Sequence, residues 1–172
     1  MPLTRRQRMR RAALICCHFL RNLAFYRAGW QHGHLRKNSQ FWRNANGNFI
    51  DICVLEWCKI FADERGAHFW RTIIAEPDQF FPGLLEFTKQ DSDQFNCYVN
   101  EMKLYRDKFI AHLDSELVMH IPKMRIGCKC ISYFYNYVLA HENDGNDFPD
   151  APPSAYHYYK MFAHQGRTEY LK

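Results

Sequence analysis

Apolar side chains recur every three or four positions through most of this chain and almost nowhere alternate with polar ones, so helices rather than strands must bury its core. Thr4 is placed to cap a first helix running to about Trp30, with Met9, Ala12, Cys16, Phe19, Leu23, Tyr26 and Trp30 on one side. A second helical pattern is strongest in Ile50, Cys53, Val54, Trp57, Ile60 and Phe61. It begins either near Phe41 or after a turn at Asn46-Gly47. Asp63-Glu64-Arg65-Gly66 ends it. Ala67 to Ala75 reads as one short helix, and Pro77, Pro82 and Gly83 break the next stretch around another at Leu84 to Phe87. Asp91 and Gln94 match a capping box that opens a helix reaching about Leu113. Pro122 suits the first turn of a last long helix carrying Met124, Cys128, Ile131, Tyr135 and Val138.

The expected fold is therefore all-α: an antiparallel bundle of long helices with short connecting helices. Its 172 residues fit a single core. The helical domain is expected over 1–143. Asp144 to Ser154, rich in Asp, Pro and Gly, reads as a linker, and Tyr156 to Lys172 as a short appended helix or a tail, so 144–172 forms an appendage.

The apolar run Ala12 to Cys17 is cut by His18 and Arg21, too soon for a bilayer-crossing helix, and no small-residue cleavage site follows it. No membrane association is expected. Seven cysteines (16, 17, 53, 58, 97, 128 and 130) are an odd number without a regular framework, which fits a reducing cytoplasm. Cys128-Lys129-Cys130 has the wrong spacing for a zinc knuckle, and Cys16-Cys17-His18 and His32-Gly33-His34 lack matching partners. Neither a metal site nor a cofactor is expected. Five arginines at 5, 6, 8, 10 and 11 equal the formal net charge of +5. This basic turn reads either as a phosphate-contacting patch or as a solvated helix end.

Tyr105-Arg106-Asp107-Lys108-Phe109-Ile110-Ala111-His112 carries the chemistry. Arginine is a permanent forked cation that matches phosphate oxygens, and histidine titrates near neutrality and can move a proton. Arg27-Ala28-Gly29-Trp30-Gln31-His32 has similar spacing, but Ala28 replaces the polar neighbour and Gly29 with Gly33 marks a helix coming to its end. On a uniform helix Phe95, Tyr98, Val99, Met102, Tyr105, Phe109 and Leu113 form an apolar stripe. Arg106 and His112 then stand on its two shoulders, about 120° apart.

The 105–112 segment resembles the signature of the HEPN superfamily, an Arg followed by a polar residue and then a His four to six positions after the Arg. Val54 to Phe61, His68-Phe69-Trp70-Arg71, and Tyr105 to Asp114 followed by Met119-His120-Ile121-Pro122 are similar to a bacterial HEPN branch related to abortive-infection proteins, over roughly 40–140. The resemblance implies a helical bundle and a metal-independent endoribonuclease with a composite site built by a homodimer, in phage defence or a toxin-antitoxin system. Arg106, Asp107 and His112 would be catalytic. His112 would serve as general acid or base and Arg106 would stabilise phosphoryl charge. Asp107 would orient Arg106 or His112, although its charge also repels phosphate. Lys108, Arg5, Arg6 and Arg8 are the expected RNA contacts. The alternative is a noncatalytic HEPN module for dimerisation or for binding an antitoxin or defence-system partner. A DNA-binding regulator fits less well, since no helix-turn-helix pattern is evident.

Because no ligand set is convincing, chelation is expected to leave the melting temperature unchanged. A large loss in chelator, restored by zinc in a thermal melt, would reveal a structural metal.

Overall fold

A computed structural model describes residues 3–111, 120–143 and 148–172, with the backbone alone at Ala111. Within them the order is α1 (Arg5–Ala28), a hairpin of β1 (Trp30–Gln31) and β2 (His34–Leu35), α2 (Gln40–Phe61), a 3-10 turn (Trp70–Thr72), α3 (Pro77–Thr88), α4 (Ser92–Tyr105), a π-helical segment (Arg106–Ala111), α5 (Met124–His141) and α6 (Ala155–Leu171). The chain is an all-α bundle with one small hairpin. None of the described helices is long and apolar enough to cross a membrane.

Local chemistry starts and stops the first helix as expected. Thr4 and Gln7 form a reciprocal capping box, and Gly29 receives the chain at the far end. His32 (φ 50°) and Gly33 (φ 81°) then occupy the left-handed region in succession, the requirement of a tight two-residue hairpin turn. The hairpin was not expected: two residues per strand are too few to show alternation.

The chain reverses here. Cys53 Sγ lies 3.5 Å from Phe19 O, and His18 lies 3.5 Å from Glu56, so α1 and α2 run antiparallel. Asn46 secures the reversal. Its Nδ2 donates to Tyr26 O (3.0 Å) and Tyr170 Oη (3.1 Å), while its Oδ1 accepts from Trp30 Nε1 (2.9 Å). Asn46-Gly47 is thus helical and not a turn, and α2 takes the earlier of its two expected starts.

Burial on α1 exceeds the single expected stripe. Ala13, Ile15, Cys17, Leu20, Ala24 and Ala28 are buried as well as Met9, Ala12, Cys16, Phe19 and Leu23. The second face is covered by α6, which runs parallel to α1. Phe162 packs 5.7 Å from Phe25, and a Cβ added at Gly166 would come within 3.0 Å of both Ala28 and Phe25. Tyr170 reaches Asn46. The segment read as an appendage is therefore a seventeen-residue bundle helix, capped by Ser154.

Two connecting stretches also differ from expectation. Ala67 to Ala75 makes only the 3-10 turn, where Thr72 Oγ1 bonds Phe69 O at 2.8 Å while Phe69, Trp70, Ile73 and Ile74 are buried. Conversely, Pro77, Pro82 and Gly83 lie inside α3: Pro77 sits in its first turn, Pro82 is exposed, and Gly83 lets Tyr133 of α5 approach. Asp91 and Gln94 form the expected capping box on α4, and Phe95, Tyr98, Met102 and Tyr105 are buried as the stripe requires. Pro122 precedes α5, whose first turn begins at Met124.

Asn46→Ala would take the partner from the Trp30 indole N–H and the Tyr170 hydroxyl and remove one of the two bonds to Tyr26 O. A stability loss of about 1–3 kcal/mol is expected in urea unfolding, with faster proteolysis of α6.

Candidate functional site

α4 delivers Arg106 to the bundle end where α2 stops. Immediately before it, Tyr105 Oη donates to Asp51 Oδ1 at 2.8 Å, and burial with that bond raises the phenol pKa. From Arg106 onward the helix widens into π geometry, a local distortion that often accompanies functional sites. The 120° estimate assumed a uniform α-helix, so it does not carry over this segment. His112, the expected proton carrier, and Leu113, the end of the stripe, lie outside the described residues.

The Arg106 side chain is about one-fifth exposed. Its Nε donates to Asp107 Oδ1 at 2.8 Å, and its Nη1 pairs with Asp63, in the turn after α2. Those bonds, Asp107's foremost, raise the guanidinium pKa against the opposing effect of burial. Arg106 is therefore both fixed in orientation and largely neutralised. Around it is an open cleft of about 480 Å³ lined by Ala62, Asp63, Glu64, Arg65, Gly66, Lys103 and Arg106.

The other expected contacts are placed unevenly. Lys108 is half-buried on the π-helical segment, and Arg6 is exposed. Arg5 pairs with buried Glu142 and donates to Ile73 O at 3.1 Å, binding α1 to the end of α5. Arg8 donates to Leu3 O at 2.9 Å, and its buried Nε has no hydrogen-bond partner among the described residues. Because α1 and α2 are antiparallel, this arginine turn lies at the same end of the bundle as Asp63 and Arg106. Asp63 was read only as part of a helix stop; a partner 43 residues away leaves no mark in local sequence.

Cysteine chemistry is disfavoured at six of the seven thiols. Burial raises the thiol pKa of Cys16, Cys17, Cys53, Cys58, Cys128 and Cys130, that of Cys17 to about 11. Among the described residues, no cluster of His, Cys, Asp and Glu is arranged to hold a metal. Compared with family models, curated proteins and solved structures, the chain matches none.

His68 offers a pH test. Burial first, then Arg11 and Lys59, lowers its pKa, and its buried Nε2 has no hydrogen-bond partner among the described residues. The unfolded chain thus binds more protons here as pH falls through the ordinary histidine range, so stability drops. Melting temperature is expected to fall between pH 7 and 5.5, and His68→Gln to make that fall shallower.

Proposed function

We propose that the chain is a metal-independent endoribonuclease of HEPN type, acting through a site composed by two protomers. The reading is carried by the Arg106–Asp107 hydrogen bond. It fixes a phosphate-binding cation at the head of a π-helical turn, six residues ahead of His112. A cation held in advance loses little freedom when charge develops on a phosphoryl group, the condition for electrostatic catalysis. In the reaction the ribose 2′-hydroxyl attacks its own phosphate, the bond to the next nucleotide's 5′-oxygen breaks, and His112 moves the proton from the attacking hydroxyl towards that leaving oxygen, so DNA is spared. The RNA phosphate displaces Asp63 from Nη1. Phage defence or a toxin-antitoxin system is the setting that the motif's resemblance implies.

A second reading, a noncatalytic module for dimerisation or partner binding, draws on the Asp63–Arg106 ion pair. Two carboxylates already balance the guanidinium and compete with any phosphate. Asp63→Asn separates the readings. Release of Arg106 raises RNA cleavage if the site is catalytic, whereas a purely structural pair loses stability with no cleavage gained.

Purified protein is expected to cleave RNA in the presence of chelator and leave 2′,3′-cyclic phosphate ends. Arg106→Ala and His112→Ala should each lower the rate about 10²-fold or more. Cleavage surviving both substitutions would place the activity elsewhere, and a monodisperse monomer in sedimentation would oppose the composite site.

A further inference from the structure

Charge is spread along the chain far less evenly than its net of +5 implies. Residues 1–50 contain ten Lys and Arg and no Asp or Glu, while residues 51–172 contain thirteen Lys and Arg against eighteen Asp and Glu. Half of those ten cations form the arginine turn at the start of α1. Three others, Arg36, Lys37 and Arg43, gather at the opposite end, where the hairpin leads into α2.

Aromatic rings are exposed among them. Phe41 is 70% exposed and meets Trp42 edge-on, with ring centres 5.4 Å apart at 85°. Trp42 packs 4.7 Å from Tyr170, and Lys37 Nζ stands 5.0 Å from the Trp42 ring centre. Trp30, 39% exposed, is held by its bond to Asn46. Arg43 Nε donates to Asn38 Oδ1 at 2.7 Å, and Arg43 has no ion-pair partner among the described residues. On the elements packed here, Glu169 beside Tyr170 is already paired with Lys172 at 2.7 Å, and Asp51, further along α2, accepts the Tyr105 hydroxyl.

Cations without acidic neighbours select a polyanion, and accessible ring faces select unpaired bases. A duplex hides its base faces, whereas a single strand offers both groups. We infer that this hairpin end binds single-stranded nucleic acid, with Phe41 stacking on a base, Trp42 supporting it from behind, and Arg36, Lys37 and Arg43 contacting phosphates. The surface lies about 30 Å along α2 from Asp63 and Arg106, so it stands whether or not that site cleaves RNA.

The test is equilibrium anisotropy of the full chain with short oligo(dT), oligo(U) and duplex DNA between about 50 and 200 mM salt. Oligo(dT) lacks the 2′-hydroxyl, so its binding is read independently of cleavage. Both single strands are expected to bind and quench tryptophan fluorescence, with duplex much weaker. Phe41→Ala should weaken binding about ten-fold, and Phe41→Tyr should retain it. The combined Arg36→Gln, Lys37→Gln and Arg43→Gln variant should lower the slope of log affinity against log salt by about 2. The inference fails if neither strand binds at low salt or if duplex binds as well. It also fails if both variants, folded by circular dichroism, bind like the parent protein, which would move binding to another surface.

Discussion

Burial of α1 on several faces is the constraint on which the rest of the bundle depends. A helix that covers one side of a core needs a single apolar stripe, but α1 contacts α2, α5 and α6. Small residues make that possible. Ala12, Ala13, Cys16, Cys17, Ala24 and Ala28 keep its surface low enough for neighbours to approach from different directions, and Gly166 does the same from α6. The C-terminal helix is held by this complementarity and contributes to the core through Ala155 and Tyr170.

Polar side chains fix the two ends of α1. At its start, Arg5 meets buried Glu142, which also accepts the Ala75 backbone N–H at 2.8 Å and so joins α1, the loop after the 3-10 turn and the end of α5. At its finish, Asn46 ties Tyr26, Trp30 and Tyr170 into one network. Apolar packing sets which helices touch but tolerates sliding. Directional hydrogen bonds to buried groups do not, because a shifted register leaves a donor or acceptor unsatisfied.

Arg106 shows two electrostatic effects in opposition. Asp107 and Asp63 orient the guanidinium and hold its donors in a defined geometry, yet their charge opposes the arrival of a third anion. At the other end of the bundle the balance is different. Arg36, Lys37 and Arg43 gather where the sequence places no acid before Asp51, so their positive potential is less compensated. One end is built from paired charges, and the other from cations that, among the described residues, have no ion-pair partner and stand beside aromatic rings.

Much of the bundle was legible in the sequence because helix periodicity and caps are local. The Met9-to-Leu23 spacing, the Thr4–Gln7 and Asp91–Gln94 capping boxes and the Phe95-to-Tyr105 stripe each lie within a few turns of one helix, and α1 and α4 follow from them. Locality also explains the failures. Gly83 reads as a breaker until Tyr133 supplies the reason for a close approach, and α6 reads as a short appended helix or a tail until the second face of α1 is seen to need cover. Of the candidate site, the sequence by itself determined the Arg106-Asp107 pair and its spacing from His112. Only the tertiary structure decided that Asp63 closes on Arg106 and that Asn46 holds three distant elements together. Those contacts join residues separated by tens of positions, where long-range packing, not local propensity, sets which groups meet.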